Sequence, residues 1–82
     1  DHKDKAVLVP DNEPRNKEVC RQIERCIKDG YNVVLWPKGT EEKDINDMIL
    51  SGKSSAEIMG IIHSNTHKGL QAQTVFNSWK RT

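Results

Sequence analysis

The chain has 82 residues, 34% of them hydrophobic and 30% charged, with a formal net charge of +1. That length supports one small domain with a modest core, and the near balance of charge excludes a strongly basic nucleic-acid footprint or a charged tail, so an anionic partner has to be gripped locally. No apolar run approaches the roughly 18 residues of a membrane span, and the start "DHKDKAVLVP" lacks a signal peptide's apolar core, so the chain reads as soluble and intracellular, with no membrane partner.

Residues 6 to 9, "AVLV", form a continuous apolar run of the kind covered on both faces in a parallel sheet, and Pro10 ends it. From Pro14, well suited to a first helical turn, a helical pattern runs to about Asp29, with Gly30 as its stop. Val19, Cys20, Ile23, Cys26 and Ile27 fall within an arc of about 120° on that helix. The two cysteines share this buried face without Cys or His neighbours, so they read as reduced core thiols and not as a disulfide or a zinc site. Residues 31 to 36, "YNVVLW", are a second buried strand closed by Pro37, and two such strands joined by a helix make a parallel β-α-β unit.

After the loop "PKGTEE", the stretch "KDINDMILSG" reads as a short helix with Asp44 as N-cap, Asp47 in the first turn and Gly52 as stop. Ser54 and Glu57 have the spacing of a capping box and open a helix with Ile58, Met59, Ile61 and Ile62 as its buried stripe, ending near Asn65. In "GLQAQTVFNSWKR" Ala72, Val75, Phe76 and Trp79 share one helical face, with Lys80 and Arg81 at its C-terminus. The expected fold class is α/β: a partial parallel sheet followed by about three helices, residues 1–50 forming the sheet unit and residues 51–82 a helical extension packed on it. Two parallel strands cannot make a two-sided sheet alone, so further strands are expected from elsewhere in a longer protein or from another chain. The start without Met points the same way, to a piece of a longer protein.

Ligands of an open parallel sheet bind beyond the carboxyl ends of the strands. Asp11 and Glu13 follow the first strand there; Lys38, Lys43 and Asp44 follow the second. Clustered carboxylates at such a rim suit Mg²⁺, with Mn²⁺ as the substitute ion, and Lys38, Lys43 and Arg15 could hold the phosphates of a substrate. Two such ions support phosphoryl or nucleotidyl transfer without a protein nucleophile. A plainer reading stands beside this one: Asp11 or Asn12 as helix caps with Glu13 favouring the macrodipole, and Asp44 as an N-cap with no metal. His2, His63 and His67 are scattered, with His63 read as a packing residue, and Trp36 and Trp79 read as packing before base stacking.

The strand ending in "VPDNEPRN", the helix to Gly30, the strand "VVLWPKG" and then "EEKDINDMI" resemble the second half of a Toprim domain, the metal-binding unit of bacterial-type primases and type IA and II topoisomerases. "KDINDMILSG" and the tail "THKGLQAQTVFNSWKR" more closely resemble the DNA primases of T4-like tailed phages. The Toprim likeness covers roughly residues 6 to 50, and the phage-primase likeness extends it to about residue 80. In that family a DxD pair binds Mg²⁺. The resemblance places Asp11 at the first Asp, Glu13 at the second, and Asp44 at the acidic residue of the "KDPD" motif; Asn46 stands where a further Asp is common, with Asp47 as a weaker substitute. The family's catalytic glutamate, on an earlier strand, has no counterpart here.

The resemblance implies a DNA primase making RNA primers from ribonucleotides on a single-stranded DNA template, a replicative helicase as partner, and the cytoplasm of a host cell as location. The chain by itself is expected to bind Mg²⁺ only in the millimolar range and to be inactive. Two alternatives remain at this point: a non-catalytic module docking a helicase or another protein, with self-association through exposed sheet edges, and a Toprim-type nuclease.

Overall fold

The computed structural model describes residues 6–81, so His2 lies outside the described residues. The elements run β1 (Val7–Leu8), α1 (Lys17–Lys28), β2 (Asn32–Val34), α2 (Ile45–Leu50), α3 (Ser55–Ser64), β3 (Thr66–His67) and α4 (Gly69–Trp79). The class is α/β, with the parallel β-α-β unit and three later helices in the expected order. One strand was not expected. β3 pairs antiparallel with β2, Val33 opposite His67 and Val34 opposite Thr66, while β1 pairs parallel on the other side of β2, giving the order β1-β2-β3. Part of the missing sheet is therefore supplied by "TH" of the chain itself, and Leu35 N continues the antiparallel pairing by donating to Asn65 O at 3.0 Å.

β2 is the centre of the fold because consecutive residues face opposite layers. Val33 and Leu35 pack with Cys20, Ile23 and Ile27 of α1 and Ala72, Phe76 and Trp79 of α4. Val34 and Trp36 pack with Met48 of α2 and Ile58 of α3. All four β2-side residues are buried, which accounts for the unbroken apolar run "VVLW". Each fully buried large side chain contributes roughly 1.5–3 kcal/mol.

β1 is a short edge strand, and only Leu8 packs on the α1–α4 cluster. Val7 and Val9 are 44% and 38% exposed, so the expected burial of this run on both faces does not hold: only the side of this edge strand that faces the α1–α4 cluster is covered. The first helix also starts later than expected. Pro14 lies in a turn, and Asn16 is the cap, its Oδ1 accepting from Glu18 N at 2.9 Å and Val19 N at 3.1 Å. Gly30 adopts φ 86° just past the end of α1, a conformation open to glycine, and stops it as expected.

The caps of the next two helices are as the spacing implies. Asp44 Oδ1 accepts from Asp47 N at 2.8 Å, and Ser54 and Glu57 form a reciprocal capping box. On α3 the stripe is narrower than expected, with Ile58 buried and Met59 49% exposed, because Met59 faces away from β2. Both cysteines are free thiols. Ile23 is fully buried where α1 meets β2 and α4. Ile23→Ala should lower the unfolding free energy by about 2–5 kcal/mol in urea denaturation; a loss under about 1 kcal/mol would contradict this packing.

Candidate functional site

The rim beyond β1 and β2 is organised by Asn12. Its backbone N donates to Lys43 O, its Nδ2 donates to Thr40 O at 2.9 Å and Glu42 O at 3.0 Å, and its Oδ1 accepts from Trp79 Nε1 at 3.3 Å. One side chain thus ties the loop after β1 to the loop after β2 and to the last helix. A second tie lies at the strand ends, where Trp36 Nε1 donates to Pro10 O at 2.8 Å. Both tryptophans are core residues, as expected, whose ring N–H groups also hold the rim.

Asp11 and Asp44 line one cleft together with Pro10, Trp36 and Asn46. Asp11 is exposed and takes no part in capping α1, which Asn16 serves; the reading of Asp11 or Asn12 as helix caps therefore falls away. Asp44 does cap α2, but through Oδ1 alone, and its other oxygen is the one a cation would take. Glu13 is placed differently. It does not line this cleft, and it pairs with Lys43 at 4.0 Å. Lys43 is over half exposed there, so the pair is worth about 0–1 kcal/mol. Lys38 lies in a separate cleft with Arg81, and Arg15 is an exposed residue that lines neither.

The six residues picked from the sequence are thus distributed as two carboxylates in one cleft, an ion pair beside it, and two outlying cations. Among the described residues, no three His, Cys, Asp or Glu side chains converge as a metal cage. Two carboxylates with an adjacent amide, open to water, match the ligand chemistry of Mg²⁺, which keeps several waters and binds through one or two carboxylates plus substrate phosphates.

Sequence reading missed Asn12 and Glu42. The Glu42 carboxylate accepts from Lys53 Nζ at 2.8 Å and Ser51 Oγ at 2.9 Å, while its carbonyl accepts from Asn12. Glu42 therefore joins the loop to the C-terminal end of α2. The Lys53 ammonium, then hydrogen bonds from its own backbone and from Ser51, hold its carboxyl at about 2, down from 4.5.

No protein-family model matches the chain. It is similar to the DNA primase of Enterobacteria phage T4, with 36% identity over 73 residues, which is 87% of this chain and 21% of the primase. The chain spans about a fifth of the relative it matches, and the likeness extends over both the β-α-β unit and the helices that follow. The chain is primase-related.

Two predictions test the rim. Asn12→Ala leaves partly buried carbonyls and an indole N–H without their partner, and should cost about 1–3 kcal/mol in urea denaturation; a cost below about 0.5 kcal/mol would mean that the loops are held by other means. A depressed carboxyl adds stability that is complete above 4.5 and is lost as pH falls from there to about 2. Thermal melts through that window should therefore show a smaller acid loss for Glu42→Gln than for the unsubstituted chain; equal losses would contradict the Lys53–Glu42 link.

Proposed function

We propose that the parent protein of this chain is a phage-type DNA primase, making RNA primers from ribonucleotides on single-stranded DNA, and that this chain carries part of its Mg²⁺ site within a Toprim-like domain. The observation that carries the reading is the cleft shared by Asp11 and Asp44 at the carboxyl ends of the parallel strands, in a chain similar in sequence to a primase. Bound there, Mg²⁺, or Mn²⁺ in its place, would neutralise charge developing on the oxygens of a transferring nucleotidyl group.

In this reading Asp11 and Asp44 hold the ion, with Asn46 beside them, and Asn12 fixes their spacing. Glu13 keeps Lys43 at the rim, where it can pass to a triphosphate, and Lys38 and Arg15 meet nucleic-acid backbone. The two halves, residues 1–50 and 51–82, act as metal-binding unit and helical extension. A replicative helicase is the partner, and the host cytoplasm the location; no described helix is long and apolar enough to cross a membrane. Ile49 and Leu50, 56% and 76% exposed at the end of α2, supply an apolar contact for such a partner.

The parent carrying Asp11→Asn should make primers at least about tenfold more slowly, since even an indirect disturbance of a metal shell costs about 10–100-fold. Near-normal synthesis would overturn the assignment. The chain alone should show amide shifts at Asp11 and Asp44 on titration with millimolar Mg²⁺, and no shifts there would remove the metal site.

A further inference from the structure

The loop after β2 meets α4 in two adjoining clefts that share Pro37, Lys38 and Trp79. One is a mostly apolar slot whose lining includes Leu35, Trp36 and Val75, together with the hydroxyl-bearing Thr74 and Ser78 of α4. The other is polar, with Lys38 on one side and Arg81 on the other. Arg81 is anchored there: its backbone N donates to Pro14 O at 2.7 Å, and its Nη1 donates to Ser78 O at 2.8 Å and Lys80 O at 3.2 Å. A guanidinium has further N–H groups beyond that one nitrogen. Glu41 also lines this cleft, and two cations against one carboxylate leave it positive.

An apolar slot with hydroxyls in its lining that opens onto a positive cleft has the two-part chemistry of a nucleotide, an apolar base with polar edges joined to an anionic phosphate. We propose that this groove holds one nucleotide of a single-stranded nucleic acid, its base in the slot against α4 and its phosphate between Lys38 and Arg81. The proposal rests on the nucleic-acid reading above and adds the track of the strand. The slot and the Asp11–Asp44 cleft have Trp36 in common, so the strand's track adjoins the carboxylates. The last helix is then a nucleic-acid contact.

The test is titration of the isotope-labelled chain with a short oligothymidylate, in EDTA so that no divalent ion takes part. Saturable amide shifts are expected at Leu35 to Lys38, Thr74 and Ser78. Lys38→Glu should weaken binding at least about tenfold and flatten its salt dependence by about one phosphate contact. Ser78→Trp, which fills the slot from an exposed position, should weaken it by a similar factor, whereas Lys28→Glu, the same charge change at the far end of α1, should leave affinity within about twofold. Thermal melts establish that each variant is folded. The proposal is overturned by shifts centred on Lys17, Arg21 and Lys80, by equal losses in Lys28→Glu and Lys38→Glu, or by no saturable binding. With no divalent ion present, those results leave the Asp11–Asp44 reading untouched, and a failed Mg²⁺ titration leaves this groove standing.

Discussion

The side-chain amide of Asn12 connects three parts of the chain that lie far apart in sequence: the loop after β1, the loop after β2 and the end of α4. Loops of this kind gain little from burial, so their geometry is set by where their polar groups find partners. Each bond contributes about 0.5–1.5 kcal/mol net, while a buried carbonyl left without a donor costs about 1–3 kcal/mol. That asymmetry makes a single amide decisive. The Lys43–Glu13 pair, worth about 0–1 kcal/mol at such exposure, cannot order the rim. Around Asn12 the frame is held by neutral hydrogen bonds, and the Glu42–Lys53 pair secures the far side of the loop.

The frame is rigid because it grows out of the core. Trp36 and Trp79 each bury a ring, in opposite layers, and each extends an N–H group to the loop after β1. β2 passes between the layers with both faces covered, so its carboxyl end is a fixed point from which the loop 37–44 departs. Glu42 holds the far side of that loop through Ser51 and Lys53. Packing in the core therefore determines where Asp11 and Asp44 stand relative to one another, and the proposed cation site, with only two carboxylates, needs that placement to be pre-set.

What could be read from the residues was local. The caps Asp44 and Ser54 and the stops Gly30 and Gly52 depend on neighbours a few positions away, and each stands as expected; on the cysteine face of α1, Cys20, Ile23 and Ile27 are buried, while Val19 and Cys26 are only partly so. β3 was not legible, because "TH" carries no apolar alternation and becomes a strand only by pairing with Val33 and Val34. The start of α1 was misplaced because Pro14 and Asn16 both suit a helix start and only the bonds from Glu18 and Val19 decide between them. Asn12 looked like an ordinary turn residue; its partners lie 28, 30 and 67 positions away. At the candidate site the carboxylates were visible from the strand ends, but Glu13's pairing with Lys43 was not, since the two lie 30 positions apart and meet only in the folded chain.

The central claim is that the Asn12 tie brings Asp11 and Asp44 into one cation site, and paramagnetic broadening by Mn²⁺ tests it most directly. Added in small amounts to the labelled chain, Mn²⁺ should first erase the amide signals of Asp11, Asp44 and Asn46, and in Asn12→Ala the signals of the two loops should no longer fade together. Broadening that begins around Glu18 and Glu24 on α1, with residues 11 and 44 unaffected, would contradict the account.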